Sequence, residues 1–316
     1  PFSPARPGRG LADHFWGRGG LVLREGAVGA PAAGEAGSSG SGWYGFITPL
    51  GGGGSQAERD DVQGYHFGQG GLLAGVEKRD NEYLAGGHIA ASYLDLKESG
   101  SRGELEGASL YLGAHGRFNP AGWQGGYLFG QARLGLDFYD QEREVRVGDK
   151  RGINKSDWTG FSAAVVLGGG YDFEFESFRF GPLAFMDYTL TSRPGVTERG
   201  ELAPLDVSGE VYNSLRSGLG LRAEAALTER VTLSASAVWN HEFMDSLGES
   251  EAGFIGWGSS AFSSQADISG RDSLGATLGL DAKLTENLSL GMDAGGEFFR
   301  SGYNAAWGGL TLSWEF

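Results

Sequence analysis

The sequence predicts an all-β protein, namely a transmembrane, antiparallel, up-and-down β-barrel of about twelve strands. Three observations predict this fold. Glycine accounts for 58 of the 316 residues, well above the usual share of about 7%, and glycine weakens helices. Most of the chain consists of segments of about 10 to 18 residues in which apolar side chains alternate with polar or small ones, the period of a β-strand. The connections between these segments alternate between short turns and longer loops, as they do in membrane barrels.

The alternation is clearest in the segment at residues 274–284. Leu278 and Leu280 share one face of the predicted strand, and Gly279 and Asp281 share the other. Because successive side chains of a strand point to opposite faces, one face of this segment is apolar and the other is polar. Applied along the chain, the same pattern predicts strands at residues 42–48, 62–78, 82–97, 102–118, 123–143, 157–174, 178–191, 208–227, 231–246, 268–284, 288–300 and 303–316.

The connections orient the predicted barrel. The even-numbered connections are short and contain turn-forming Asn, Asp, Gly and Pro, as residues 79–81 and 119–122 illustrate. The odd-numbered connections are mostly longer, at residues 49–61, 144–156, 192–207 and 247–267. The first of these contains Gly51–Gly54 and is predicted to be a flexible outer loop. Since periplasmic turns are short and extracellular loops are long, the alternation predicts which end of each strand lies outside the cell.

The length and the apolar face of the strands favour a membrane. Several predicted strands exceed the usual soluble length of about 5 to 6 residues, and a tilted membrane strand needs about 9 to 11. A lumen of about twelve strands is too wide for small apolar side chains to fill. The apolar face is therefore predicted to contact lipid, with the polar face lining the lumen.

Aromatic residues gather near the ends of the predicted strands, where amphipathic rings form the two girdles of a membrane barrel. The residues that predict these girdles are Trp43, Tyr44, Tyr65, Phe67, Tyr83, Tyr93, Trp123, Tyr127, Phe138, Tyr139, Trp239 and Phe243. The sequence thus predicts a protein of the outer membrane of a Gram-negative bacterium.

The first 41 residues differ from the rest of the chain because they are rich in Gly, Ala, Pro and Ser. We therefore divide the chain into a linker or lumen segment at residues 1–41 and a barrel domain at residues 42–316. The net charge of −15 argues against a nucleic-acid partner. The five histidines lack the spacing of a zinc motif, so neither a metal site nor a cofactor is predicted.

Charged residues on the predicted lumen face have two interpretations. They grip a linker or tune a pore, or they pair with one another across the strands, each pair contributing about 0.2–1 kcal/mol. The second interpretation is favoured. The residues concerned are Arg133, Asp137, Asp172, Arg216, Arg222, Glu224 and Glu242.

A hydrolase built into the barrel would need a serine beside a histidine. His115 with Ser109, or His241 with Ser234 and Ser236, are the available combinations, but no spacing selects them. The sequence therefore predicts no enzymatic activity for the barrel.

The end of the chain resembles the assembly signal of outer-membrane proteins. Leu310, Leu312, Trp314 and the terminal Phe316 share one face of the last predicted strand, and the barrel assembly machinery reads such a strand as an added sheet edge. The stretch Trp-Asn-His-Glu-Phe at residues 239–243 resembles the Trp-x-His-Glu-Phe stretch of the autotransporter β-domain. The strand, turn and strand at residues 274–290 resemble the penultimate hairpin of the same family.

The resemblance implies a twelve-stranded translocator barrel of type V secretion, which anchors the protein and carries an N-terminal passenger to the cell surface. It also implies that the segment before the barrel threads the lumen. The predicted partners are outer-membrane lipid and lipopolysaccharide, the barrel assembly machinery and the protein's own passenger. The alternatives are a stand-alone porin-like or structural barrel and, less favoured, a barrel hydrolase.

Overall fold

The computed structural model describes residues 42–58, 64–80, 82–100, 103–244, 246–256, 261–267 and 270–316. The predicted lumen segment at residues 1–41 lies outside the described residues, so its division from the barrel stays a prediction. The strands are β1 (Gly42–Gln56), β2 (Tyr65–Arg79), β3 (Tyr83–Glu98), β4 (Gly103–Phe118), β5 (Gly126–Val147), β6 (Lys150–Tyr171), β7 (Phe173–Glu174), β8 (Phe178–Arg193), β9 (Val196–Thr197), β10 (Leu205–Val207), β11 (Glu210–Thr228), β12 (Val231–Glu242), β13 (Ser246–Phe254), β14 (Ala261–Asp267), β15 (Asp272–Lys283), β16 (Leu288–Arg300) and β17 (Tyr303–Glu315).

Twelve of these strands form one closed antiparallel sheet. The sheet runs from β1 through β6 to β8, β11, β12, β15, β16 and β17. It closes because β17 pairs with β1, with Tyr44 opposite Glu315 at one end and Gln56 opposite Tyr303 at the other. Closure satisfies the backbone groups that an open edge would expose to lipid. The predicted up-and-down barrel is confirmed.

The two faces of the barrel wall differ as the alternation predicts. In β5, Leu134 and Leu136 are about half exposed on the outer face, whereas Arg133 and Asp137 are buried on the inner face. The same contrast recurs around the ring, so the outside carries an apolar band and the inside carries most of the charge. Among the described residues, none belongs to a helix that is long and apolar enough to cross a bilayer.

The first strand is longer than predicted. Gly51–Gly54 lie within β1 and pair with both β2 and β17, so the predicted flexible loop is wrong. A Cβ on Gly53 would lie 2.6 Å from the carbonyl oxygen of Phe67, which shows how closely the neighbouring backbone approaches. A glycine run has no side chains that alternate, and the period of the strand is therefore invisible in the sequence.

The loop predicted at residues 144–156 is also wrong. β5 and β6 each contain 22 residues and continue as a paired hairpin to a turn at Gly148, whose φ is +60°. Glu144 lies opposite Ile153 in this extension. The extension lies beyond the apolar band. Its outer face carries charged side chains such as Glu144 and Arg146, and its inner face carries Val145, so the outward-facing apolar side chains that mark the membrane part are largely missing.

Two long outer connections contain short strands. β9, β10, β13 and β14 form a second sheet in the order β14–β13–β10–β9, which we name the outer cap. β12 ends at Glu242 and β15 begins at Asp272, so the strands predicted at 231–246 and 268–284 are shorter than expected.

Five of the twelve aromatic residues predicted to form girdles face the lumen instead. Trp43, Trp123 and Trp239 are half exposed on the outside, as predicted. The five buried residues are Tyr44, Tyr65, Phe67, Tyr127 and Tyr139. Trp43 and Tyr44 show the reason, because neighbouring residues of a strand point to opposite faces and only one of the two can contact lipid.

Candidate functional site: the barrel lumen

The lumen is lined by the inward-facing side chains of the twelve barrel strands. All seven charged residues predicted to lie there are on the inner face, where Arg222 is half-buried and the others are buried. The short connections, the start of β1 and the end of β17 lie at the periplasmic end of the barrel, and the outer cap lies at the opposite end. The two ends have different linings.

The periplasmic end is lined by a set of charged and tyrosine side chains that we name the periplasmic network. Its members are Tyr44, Glu77, Arg79, Arg117, Tyr127, Asp172, Arg179, Arg222 and Glu224. Of the nine, the sequence predicted Asp172, Arg222 and Glu224 as lumen charges. Arg117 and Arg179 contact these three residues, whereas Glu77 and Arg79 contact each other and, respectively, His115 and Tyr44.

Asp172 is the centre of one half of this network. Its carboxylate forms an ion pair with Arg222, with Nε 3.1 Å from Oδ1, and its Oδ2 accepts a hydrogen bond from Arg117 Nη2 at 3.4 Å. Both guanidinium groups also lie over the ring of Tyr127, with Arg117 at 4.1 Å and Arg222 at 4.8 Å from the ring centroid. One carboxylate and one aromatic ring therefore hold two cations together, which an isolated pair of arginines would resist.

Glu224 joins a third arginine to the same group. It accepts from Arg222 Nη2 at 3.1 Å and pairs with Arg179, which stands directly opposite it on β8. The register of β8 and β11 thus produces the contact. This is the cross-strand pairing that the sequence favours, here within a larger network.

Glu77 anchors the other half of the network. Arg79 Nε donates to Glu77 at 2.7 Å, and the Arg79 guanidinium lies 4.2 Å from the ring centroid of Tyr44. His115 Nε2 lies 3.0 Å from Glu77, and His115 Nδ1 lies 3.2 Å from Nδ1 of His88. The result is a row of hydrogen-bonded side chains across three neighbouring strands.

Glycines make room for the two imidazole rings. Gly113 lies opposite His88 in the register, and a Cβ added there would overlap the His88 ring. A Cβ on Gly86 would lie 2.9 Å from the ring of His115. The small residues on the lumen face therefore have a steric purpose at these positions.

The middle of the lumen contains Arg133 and Asp137 on β5. Tyr111 donates its hydroxyl to Asp137 at 3.2 Å, and the Arg133 guanidinium lies 5.2 Å from the Tyr111 ring centroid. One tyrosine of β4 therefore contacts both charges on the neighbouring strand.

Arg216 and Glu242 lie closer to the outer end. Arg216 and Arg300 both contact Glu297, at 3.5 and 3.3 Å. Glu242 accepts from the hydroxyl of Ser214 at 2.6 Å and from the backbone N–H of Leu215 at 3.0 Å. Arg216 and Glu242 are directly opposite in the register, and these contacts give each of them partners beyond the pair.

The outer end of the lumen also contains a cluster of buried apolar side chains. We name the buried residues there the outer apolar cluster: Tyr65, Phe67, Leu94, Leu96, Leu105, Tyr139, Trp158, Val196, Tyr212, Tyr303, Ala305 and Trp307. All except Val196 lie on the outer ends of barrel strands, and Val196 belongs to the outer cap. Sequence reasoning missed this cluster because it assumed that aromatic residues near strand ends face lipid.

The serine–histidine combinations considered for hydrolysis are not brought together. Ser109 and His115 are six residues apart on one strand, about 20 Å, and His115 contacts Glu77 and His88 instead. His241 lies on the outer face with Trp239 and contacts Asp272 at 2.9 Å. Within the described part of the chain, no group of three or more His, Asp or Glu residues is arranged to hold a metal ion.

The predicted assembly signal lies on the outer face of β17. Leu310, Leu312 and Trp314 are all substantially exposed in the apolar band, and Phe316 is 69% exposed. The backbone N–H of Phe316 donates to the carbonyl of Trp43 at 3.0 Å. The last strand is therefore paired with β1, while its apolar face remains directed at lipid.

This geometry defines a class of protein. A closed antiparallel barrel of twelve strands, with an apolar outer band and a polar lumen, is a β-barrel of the bacterial outer membrane. A family model described as the autotransporter β-domain matches residues 45–295, and the chain therefore belongs to the autotransporter β-domain family. The resemblance at residues 239–243 and in the final hairpins predicted this family correctly.

Individual relatives agree with the family. The extracellular serine protease of Serratia marcescens is 23% identical over 276 residues, which are 84% of this chain but 25% of that protein. The chain thus spans about a quarter of the length of this relative. The translocator domain of the autotransporter NalP from Neisseria meningitidis matches with a TM-score of 0.73 at 15% identity, covering 96% of this chain and 97% of that chain. The β-domain of the Bordetella autotransporter BrkA matches with a TM-score of 0.60 at 20% identity, covering 87% and 100%. At these sequence identities, both structural matches support the fold alone.

Proposed function

We propose that this chain is the translocator part of a longer autotransporter, in which the barrel carries an N-terminal passenger to the cell surface and anchors it there. The observation that carries the proposal is the family match over residues 45–295 of a closed barrel. The relative from Serratia marcescens supports it, because that protein is about four times longer than the region it shares with this chain.

Residues 1–41 serve in this proposal as the linker that threads the lumen. β1 begins at Gly42 at the periplasmic rim, beside Arg79 of the periplasmic network. A Gly- and Ser-rich linker has the flexibility to follow such a path. The charged groups of the network would then provide hydrogen-bonding partners for its backbone.

Three further partners belong to the proposal. The apolar band contacts outer-membrane lipid and, in the outer leaflet, lipopolysaccharide. The barrel assembly machinery recognises the strand that ends in Leu310, Leu312, Trp314 and Phe316. We assign no reaction to the barrel itself, so any catalysis resides in the passenger.

A fusion experiment tests the function. A folded reporter carrying an epitope is placed before residue 1 behind a signal peptide, and externally added protease is used to measure its display on intact cells. We expect the reporter to be cleaved from outside, and to remain protected in a control whose barrel lacks β17. A reporter that stays periplasmic while the barrel folds in the outer membrane would show that the chain is a stand-alone barrel.

A deletion tests the assembly signal. Removing Phe316 takes away one apolar group and one backbone hydrogen bond to Trp43. We expect much less barrel in the outer membrane, measured by heat-modifiable electrophoretic mobility. The matched control is Phe316→Tyr, which keeps the aromatic end. Equal amounts of folded barrel from the deletion and from the control would remove this assignment.

A further inference from the structure

The Trp-Asn-His-Glu-Phe stretch that resembles the autotransporter family divides between the two faces of the barrel wall. Trp239 and Phe243 are about half exposed on the outer face, with His241 between them. Asn240 and Glu242 are buried on the lumen face, where Glu242 has the partners described above. Because neighbouring residues of a strand point to opposite faces, the three outward side chains belong to a different site from the two inward ones.

One carboxylate of β15 fixes two of these outward side chains. Asp272 Oδ1 accepts from Trp239 Nε1 at 3.0 Å and lies 2.9 Å from His241 Nδ1. An ionised carboxylate can only accept, so Nδ1 carries the proton and the neutral imidazole ring presents Nε2 as an acceptor. The imidazole also packs edge-on against the ring of Phe243, with 5.0 Å between the ring centroids. We name Trp239, His241, Phe243 and Asp272 the rim site.

The rim site interrupts the apolar outer surface. In the register, His241 lies opposite Asp272 on one side and opposite Ser217 on the other, so three polar residues form one outward row. Trp239 is exposed on the side of this row nearer the membrane centre, and Phe243 is exposed on its other side. Polar groups enclosed by exposed rings at the edge of the apolar band lie in the layer where lipid headgroups meet their acyl chains.

A bulge in β16 adds apolar surface beside the rim site. The register shifts between Glu297 and Arg300, which are both buried in the lumen, and both Phe298 and Phe299 between them are exposed. Phe299 has a φ of +62° and is 82% exposed. Phe298 lies in the same register row as Trp239, two strands away. The extra residue of the bulge therefore places two adjacent phenyl rings on the outside, while Glu297 and Arg300 pair inside.

The free polar atoms of the rim site suit a ligand rich in hydroxyl groups. They are acceptors, namely Nε2 of His241 and Oδ2 of Asp272, and Oδ2 accepts no hydrogen bond from the residues that the structure describes. Acceptors match the hydroxyl groups of a sugar, whereas the negative charge of Asp272 repels a phosphate. The negative faces of the Trp239 and Phe243 rings match the C–H groups of a sugar ring.

We propose that the rim site binds the sugar headgroup of a glycolipid in the outer leaflet, whose acyl chains lie along the apolar band beside Phe298 and Phe299. The continuity of the rim site with that band selects a sugar linked to lipid over a free one. The inference rests on the proposed contact of the barrel with lipopolysaccharide and names the residues that make it. It does not depend on transport of a passenger.

Binding of a defined glycolipid tests the rim site. The full chain, folded in detergent micelles, is titrated with lipid A from which both phosphates have been removed, and native mass spectrometry measures the bound fraction. His241→Phe keeps an aromatic ring and removes both nitrogens, and Asp272→Ala removes the carboxylate. We expect each variant to raise Kd at least about tenfold, the ratio that corresponds to about 1.4 kcal/mol.

The matched control is His66→Phe. His66 is an exposed histidine near the outer end of β2, five strands away from β12 in the sheet. We expect its replacement to leave Kd unchanged, because it lies far from the rim site. Heat-modifiable mobility verifies that every variant is folded. Equal Kd values for the parent, His241→Phe and Asp272→Ala, all folded, would overturn the proposal.

Two further ligands identify the chemistry that is bound. Phosphatidic acid carries acyl chains and a phosphate but no sugar, and the acyl-free disaccharide carries the sugar alone. We expect each to bind the parent at least about tenfold more weakly than the glycolipid. Phosphatidic acid that binds as tightly, and loses affinity in Arg271→Gln, would mean that a phosphate is recognised. Equally tight binding of the disaccharide would mean that the ligand is a free sugar.

Reporter display separates the rim site from the proposed function. The reporter passenger is attached to the parent and to His241→Phe, and its cleavage by external protease is measured. We expect equal display, because the rim site lies outside the lumen. Absence of display from the parent contradicts the proposed function and leaves the Kd values to decide the rim site. Display from the parent together with unchanged Kd values in the variants contradicts the rim site alone.

Discussion

The two ends of one lumen are stabilised by different physics. The outer apolar cluster joins aromatic and aliphatic side chains at the outer strand ends, whereas the periplasmic network joins four arginines to three carboxylates in a polar lining. Burial of apolar area is short-ranged and involves no charge, so screening by a simple salt does not weaken it. Charge pairs weaken as ionic strength rises, unless they are buried away from solvent. The same strands therefore support an apolar cluster near one end and a charged network at the other.

The difference follows from where the strands extend. The periplasmic ends stop at tight turns, so their inward side chains line an opening. The outer ends continue beyond the apolar band, most of all in β5 and β6, and meet the cap. Inward-facing residues such as Leu105 and Leu96 are almost completely buried there. A membrane barrel thus carries a core like that of a soluble protein at one end.

The largest effect is expected at the outer end. Trp158→Ala removes a ring that is 7% exposed and packs 5.6 Å from the ring of Tyr139. We expect the free energy of unfolding to fall by about 3 kcal/mol, because a cavity replaces a large buried side chain. Urea unfolding of the barrel in lipid vesicles measures it. The matched control Trp123→Ala removes a ring that is 55% exposed and should cost less than about 1 kcal/mol; similar losses would mean that the cluster is not a core.

A smaller, salt-dependent effect is expected at the periplasmic end. Asp172→Asn removes the carboxylate shared by Arg117 and Arg222. We expect a loss of about 2 kcal/mol at low salt, below the value for a fully dry ion pair because the Arg117 and Arg222 side chains remain partly exposed. Raising the ionic strength should reduce this loss and leave that of Trp158→Ala unchanged. A loss that salt does not alter would contradict the contrast between the two ends.

Steric crowding beside the histidines gives a third test. Gly113→Ala introduces a Cβ that overlaps the ring of His88, which must then rotate away from His115. We expect a loss of about 1 to 2 kcal/mol, the usual cost of overpacking. Gly68→Ala is the control, since a Cβ there meets no atom within 4 Å. If the Gly113→Ala barrel is as stable as the Gly68→Ala barrel, the space that Gly113 leaves for the His88 ring is not needed.

The smallest effect is expected on the projecting hairpin. Glu142 and Lys155 form an exposed ion pair on neighbouring strands. Glu142→Gln should change the free energy of unfolding by less than about 0.5 kcal/mol, since exposed pairs contribute little. The same urea titration measures it. A loss as large as that of Asp172→Asn would mean that solvent exposure does not explain the difference in stability between the Glu142–Lys155 pair and the ion pairs of Asp172.

Much of the fold could be predicted because, in a membrane strand, every second residue faces lipid and is therefore apolar. Leu134 and Leu136 reveal a lipid face, and the short turns between strands reveal the periplasmic end. The prediction failed where this alternation of apolar and polar side chains is missing. Gly51–Gly54 carry no side chains to alternate, and the outer face of the β5–β6 extension carries charged side chains such as Glu144 and Lys155 in place of apolar ones. Beyond the apolar band, lipid no longer distinguishes one face of a strand from the other.

For the candidate site, the sequence predicted which charged residues face the lumen but not which of them contact each other. The sequence placed Arg222 and Glu224 in the lumen, and the structure adds that they meet Asp172 and Arg179 from other strands. Which residues meet depends on the register and on the closure of the ring. Neither can be derived from the period of a single strand.

By itself, the sequence determined the fold class, the inside and outside of the wall, and the family. These properties arise from local alternation, turn chemistry and short motifs, all of which can be found in contiguous residues. Only the tertiary structure decided that Tyr139 and Trp158 form a core rather than a girdle, and that Glu198 reaches Arg143 and Asn154. Those contacts join residues about 20 to 55 positions apart in the chain, and a folded ring is needed to bring them together.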